Sequence, residues 1–232
     1  VEMLSDPFQT NYVLVKPRNA KFTPRHKKSE ERVYYLGAIY DYRHGTRERC
    51  LTDASRRGYL RVVKYLIGGG VDIHTRNDCA LRFASMEGHL DVVKYLVSQG
   101  ANVHAEDDHA LRWASGGGHS EVVKYLVSQG ANVHAEDDNA LRSASWGGHS
   151  KVVKYLIGGG ADVHAMNGGA LRWASANGHL EVTQFLVSQG ADVHTEDDYA
   201  LRWASGGGHL EVTKYLVPKG ADVHAKNDEA LR

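Results

Sequence analysis

The tripeptide Ala-Leu-Arg returns at Ala80, Ala110, Ala140, Ala170, Ala200 and Ala230, a beat of 30 residues that never drifts. A fixed period of this length means one supersecondary unit used over and over, and it excludes most other architectures at once. One copy reads DYALRWASGGGHLEVTKYLVPKGADVHAKN. A looser first copy, CLTDASRRGYLRVVKYLIGGGVDIHTRN, starts at Cys50. Six full units and the start of a seventh therefore fill 50–232, preceded by an irregular segment, 1–49.

Each unit reads as helix, turn, helix, loop. In the unit that starts at Ala110, the residues Ala110, Leu111 and Ala114 share one helical face, with Asp107 or Asp108 placed to cap the helix and Gly118 to end it. A second helix follows His119, its buried stripe made of Val122, Val123, Leu126 and Val127 and its outer face of Glu121, Lys124 and Gln129. Helices this short are marginal alone in water, so each pair must stack on its neighbours. The expected fold is an all-α solenoid with a continuous core.

The unit resembles the ankyrin repeat, whose pattern is T-P-L-H-x-A-A, G-H-x-x-V-V-x-x-L-L and G-A-D-V-N-A. Here the corresponding stretches are A-L-R-W-A-S, G-H-L-E-V-V-K-Y-L-V and G-A-D-V-H-A, over about four fifths of the chain. Three departures matter. The unit is shorter than the family's ~33 residues, and the loss falls between Val-His-Ala and Ala-Leu, so the projecting β-hairpin between repeats should be shortened or simplified. Thr-Pro is replaced by a variable residue and Ala. The helical His has become Arg (Arg82, Arg112, Arg142, Arg172, Arg202), with an Asp108–Arg112 pair at i,i+4 as a substitute interaction. The beat and the run V-V-K-Y-L-V-S-Q-G-A-D-V-H resemble ankyrin families encoded by giant amoeba-infecting DNA viruses.

Charge is balanced, with 28 basic and 28 acidic residues, so bulk electrostatics favours neither nucleic acid nor a membrane surface. It is distributed unevenly: 10 basic and 6 acidic residues precede Cys50, whereas 11 basic and 17 acidic follow Gly100. The acid-free run Lys16 to Lys28 is a weak nucleic-acid or nuclear-address signal, read as a solvated tail because no aromatic pattern accompanies it. Val33, Tyr35 and Leu36 sit 30 residues before Val63, Tyr65 and Leu66, as a degenerate capping repeat would, and Tyr12 to Val15 alternates like a short strand. Two cysteines, no signal peptide and no membrane-length apolar run point to the cytoplasm, a host cell's if the source is viral, with nucleus or virion as other destinations. Both chain ends look like cuts, so the chain reads as a fragment of a longer protein.

Eleven of the 14 histidines are two positions repeated, from His89 to His209 and from His74 to His224. Copies spaced by helix packing stand ~8–10 Å apart, too far to share a metal. They are read as helix caps and inter-repeat hydrogen bonds. Trp113, Trp173 and Trp203, sharing a position with Phe83 and Ser143, are read as core. Trp146 sits where other units have Gly116, Gly206, Ala176 or Met86, which in the resembled family is the concave, partner-facing surface. It is either a binding hot spot or a ring folded back into the gap left by Ser143.

The loops carry Glu106-Asp107-Asp108, Glu136-Asp137-Asp138 and Glu196-Asp197-Asp198, followed by His109, Asn139 or Tyr199. Acid not used for capping forms a ridge suited to a basic partner surface. No nucleophile elbow, phosphate loop or Cys-His pair is present, so neither catalysis nor a cofactor is expected. The sequence thus predicts a protein-binding scaffold that uses Trp146, Glu106, Asp107, His109, Glu136, Asp137, Asn139, Glu196, Asp197 and Tyr199. Two alternatives stand beside it: the substrate-recruiting arm of a larger, ubiquitin-ligase-type adaptor, and a self-assembling structural array.

Overall fold

The computed structural model describes residues 47–228 and Ala230, together with the backbone of four short strands upstream. These are β1 (Met3–Ser5), antiparallel to β2 (Val13–Val15), and β3 (Val33–Tyr35), antiparallel to β4 (Ala38–Tyr40). The basic run Lys16 to Lys28 lies outside the described residues.

From Arg47 the chain is helical. Six helix pairs follow one another: α1 (Arg47–Arg56) with α2 (Leu60–Gly68), α3 (Thr75–Met86) with α4 (Leu90–Ser98), and α5 (Ala105–Gly116) with α6 (Ser120–Ser128). They continue as α7 (Ala135–Trp146) with α8 (Ser150–Gly158), α9 (Ala165–Ala176) with α10 (Leu180–Ser188), and α11 (Thr195–Gly206) with α12 (Leu210–Leu216). A 3-10 turn, Val217–Lys219, and α13 (Ala225–Asp228) complete the described chain. Odd-numbered helices α1 to α11 pack side by side in one layer and even-numbered helices α2 to α12 in a second.

The core runs unbroken through every unit, as the 30-residue beat requires. In the third unit Ala110, Leu111 and Ala114 of α5 meet Val122, Val123 and Leu126 of α6, each at most 1% exposed. A fully buried Leu or Val contributes about 1.5–3 kcal/mol, and here each touches the equivalent residues of both neighbouring units. One buried position is costly. The family's second alanine is serine in this chain, and the hydroxyls of Ser55, Ser85, Ser115 and Ser145 are fully buried with no partner. Ser115→Ala should therefore stabilise the array by about 1 kcal/mol, seen as a higher urea midpoint.

The inter-repeat loop is the main departure from the resembled pattern. In place of a hairpin, three consecutive residues take left-handed helical angles: Glu106, Asp107 and Asp108 at φ 54, 53 and 57°, repeated at 76–78, 136–138, 166–168 and 196–198. The Asp108 amide closes this single left-handed turn on the His104 carbonyl at 3.4 Å. Three fewer residues cannot build two strands, and a left-handed turn reverses the chain in the length available. Each such residue costs about 1–2 kcal/mol, less for Asn, Asp and Gly, so the turn must be held from outside.

Two side chains hold it. Arg142 donates from Nε to the Asp137 carbonyl at 3.2 Å and from Nη2 to the Glu136 carbonyl at 2.8 Å, and Arg82 and Arg202 grip their own turns the same way. The Asp108–Arg112 ion pair expected from i,i+4 spacing does not form; Arg112 Nη2 donates to the Glu106 carbonyl at 2.9 Å. Nor does Asp108 cap its own helix. Its buried carboxylate accepts the backbone N–H of Asn132 in the next unit at 2.9 Å and faces His104 Nδ1 at 3.1 Å. Asp78, Asp138 and Asp198 repeat this link to Asn102, Asp162 and Asp222. Charge-assisted bonds of this kind contribute about 1.5–3 kcal/mol each, which is the size the left-handed turn requires. In the fifth unit Gly168 stands in this position and brings no carboxylate.

A second inter-repeat link joins the helix turns. His119 Nε2 donates to the Met86 carbonyl at 2.8 Å, and His89, His149, His179 and His209 do the same to Arg56, Gly116, Trp146 and Ala176. These carbonyls end a right-handed helix and would otherwise be orphaned. Inter-repeat bonding is thus what these histidines do; none makes a side-chain cap on its own helix. Each ring also lies against the glycine of the preceding unit, so that a Cβ on Gly118 would stand 2.4 Å from His149 Nδ1.

Candidate interaction surface

The left-handed turns form a ridge along one edge of the odd-helix layer. Glu106, Asp107, Glu136, Asp137, Glu196 and Asp197 are exposed on it, and His109, Asn139 and Tyr199 are half-buried at its base, beginning the regular helices. The ridge is less acidic than its sequence implies. Glu196 pairs with Arg172 at 3.0 Å, Glu136 stands 3.9 Å from Arg112, and Glu106 accepts from Asn77 Nδ2, which with Arg82 nearby lowers its pKa. The carboxylates of Asp107, Asp137 and Asp197 meet no donor among the described residues. The unneutralised charge of the ridge sits on these three.

Beside the ridge the exposed face of the odd helices carries aromatic rings. His109 and Trp113 have ring centres 4.1 Å apart, Phe83 and Trp113 5.4 Å apart, and Tyr199 stacks on Trp203 at 5.3 Å. The core role expected for Trp113, Trp173 and Trp203 is incorrect. Trp113 is half-buried, and Trp173 and Trp203 are 42% and 51% exposed. With 100° per residue, an arc centred on Ala110, Leu111 and Ala114 leaves position 113 outside it. The helical count alone, applied to the tryptophans as it was to the alanines, places them on the surface.

Trp146 is 56% exposed. It does not fold back over Ser143: a notch of about 180 Å3 remains open there, lined by Asn139, Arg142, Ser143, Trp146 and Trp173. Ser143 donates its hydroxyl to Asn139 Oδ1 at 2.9 Å, so the two residues that carry rings in the third and sixth units bind each other here and leave the space empty.

His109, at the base of the ridge, lies between two guanidinium groups. Its pKa is lowered, first by burial and then by the Arg112 and Arg82 guanidinium groups, and Arg82 Nη1 donates to its Nδ1 at 3.2 Å. A folded-state value below the ordinary 6.5 favours the neutral ring, so its stabilising contribution is full above pH 6.5 and is lost as pH falls through the folded value. His109→Asn, which copies Asn139, should lessen the loss of urea stability between pH 7 and pH 5. The His109 Hε1 resonance should titrate with a midpoint under 6.5.

The geometry defines a helical-repeat solenoid with one edge of turns and one aromatic-bearing helix face. Ankyrin repeat models (three copies each) match residues 29–107, 51–137, 107–167 and 141–227. The chain belongs to the ankyrin repeat family. The crystal structure of the human ASB11 ankyrin repeat domain is similar to it in fold, with a TM-score of 0.69 and 23% identity over 78% of this chain and 95% of that one. Comparison with curated proteins finds no match. Ankyrin repeats generally mediate protein–protein interaction, and their fold is typically a non-enzymatic scaffold. Among the described residues no helix is long and apolar enough to cross a membrane.

Proposed function

We propose that this chain is a scaffold that binds a protein partner through the turn ridge and the adjoining face of the odd helices. The observation that carries this reading is the continuity of two unlike surfaces: Asp107, Asp137 and Asp197, which meet no donor among the described residues, beside exposed Trp146, Trp173 and Trp203. Exposed large aromatics on a rigid array are the usual anchors of interfaces, and flanking charge steers the encounter. The full residue set is Trp146, Glu106, Asp107, His109, Glu136, Asp137, Asn139, Glu196, Asp197 and Tyr199, with a basic partner surface.

The same reading includes three finer points. The family match beginning at residue 29 supports a degenerate capping element before Cys50, although Val33–Tyr35 form a strand where Val63 and Tyr65 are helical. The unpaired, buried state of both cysteines supports a reducing, cytoplasmic setting. The undrifting 30-residue unit supports a source among the giant-virus families.

Affinity capture from a cell extract tests the surface. Wild-type protein should retain a set of proteins that the Trp146→Ala, Asp107→Lys, Asp137→Lys variant loses, with helical circular dichroism unchanged. Retention of the same set by both would show that binding uses another face.

A further inference from the structure

The odd-helix face is not uniform: its ring position is held by Asp53 in the first pair and by Ser143 in the fourth, and the second of these gaps has the form of a socket. Phe83, Trp113, Trp173 and Trp203 occupy the same position in four units, and Ser143 replaces the ring in the fourth of the six pairs. One turn earlier Asn139 stands where the third and sixth units carry the rings of His109 and Tyr199 and the second and fifth carry Cys79 and Gly169. Ser143 donates to Asn139 Oδ1 at 2.9 Å, so the hydroxyl and the amide oxygen are engaged with each other at the wall of the notch. Trp146 and Trp173, both exposed, bound it. Arg142 also lines it, with its guanidinium turned back onto the Glu136 and Asp137 carbonyls.

Size decides what the notch can take. Its volume of about 180 Å3 is below the ~300–1,000 Å3 of a small-molecule pocket, and two flanking indole rings suit a flat, mainly apolar side chain. Charge decides what surrounds that side chain. The carboxylate of Asp137 projects from the turn that opens α7, with Asp107 one unit before it, and neither meets a donor among the described residues. Adjacent units stand ~8–10 Å apart, which is about three residues of extended chain.

We propose that the notch at Ser143 is the anchor socket for a partner segment that inserts one aromatic side chain between Trp146 and Trp173 and sets lysine or arginine residues against Asp137 and Asp107. This rests on the scaffold reading above and narrows it to one socket and one class of peptide.

The test selects from a random library of 15-residue peptides displayed on phage, using the whole chain as bait. Enriched peptides should share an aromatic residue flanked by lysine or arginine. Synthetic copies should weaken at least tenfold with Ser143→Trp, which fills the notch with the side chain its neighbouring units already carry. Lys151→Ala, at an exposed position of the even-helix layer away from the notch, should bind within twofold of wild type. Binding should also fall steeply between 50 and 500 mM NaCl. The proposal is overturned if no peptide is enriched, if the enriched peptides lack the aromatic or the basic residues, or if Ser143→Trp binds them as wild type does. Should Ser143→Trp bind normally while the Trp146→Ala, Asp107→Lys, Asp137→Lys variant does not, the socket fails and the broader surface stands.

Discussion

Asp138→Ala should cost the array about 3 kcal/mol, whereas Asp138→Asn should cost only about 1 kcal/mol. The difference follows from what the carboxylate does. At 5% exposure it accepts the Asp162 amide at 2.9 Å and faces His134 Nδ1 at 3.1 Å. Alanine removes both acceptors at once and leaves the Asp162 amide without its partner. It also puts a residue with no local hydrogen bond at φ 56°, a conformation that Asp and Asn tolerate better. Asparagine keeps an acceptor for the amide and gives up only the negative charge opposite the imidazole. Urea unfolding of the two variants beside wild type reads the gap directly. Equal losses from both would mean that charge, and not the link to the next unit, carries the interaction.

The second large effect is expected at Gly118. Substitution to alanine meets two penalties that add. The residue sits at φ 73°, where a Cβ is strained, and that Cβ would lie 2.4 Å from His149 Nδ1. The ring cannot retreat freely, because its Nε2 is bonded to the Gly116 carbonyl at 2.8 Å. Relief of the clash therefore breaks the inter-repeat bond, and the combined cost is about 2–4 kcal/mol. Paired with His149→Ala, the same substitution should cost less than the two single losses added, since the clash and the bond belong to one contact. A double-mutant cycle by urea unfolding measures this coupling. Strict additivity would contradict the packing of ring on glycine.

The solenoid is legible in the sequence because it depends on spacing alone. Ala110, Leu111, Ala114, Val122, Val123 and Leu126 declare their faces by the helical count, and the beat declares the stacking. What escapes that reading are contacts whose partners lie in another unit. Asp108 looks like a cap for its own helix because its partner, the Asn132 amide, is 24 residues away and featureless in sequence. Arg112 looks like an ion-pair partner for Asp108 because side-chain patterns do not reveal backbone carbonyls as targets. The tryptophans read as core because the resembled family has an apolar residue at their position, whereas the helical count places them outside. The candidate surface was legible in its residues, the acids and Trp146, but not in its shape, since the notch exists only where Ser143 of one unit meets Trp173 of the next.

The left-handed turns also limit the kind of recognition open to the ridge. A β-hairpin finger would offer the amides and carbonyls of a strand edge, along which an incoming chain of almost any sequence could pair by main-chain bonds. Here the described ridge contains no strand, and arginine side chains already occupy the turn carbonyls. A partner must therefore be read by its side chains. Changes at a handful of exposed positions could redirect such a surface while every hydrogen bond that holds the stack together stays in place.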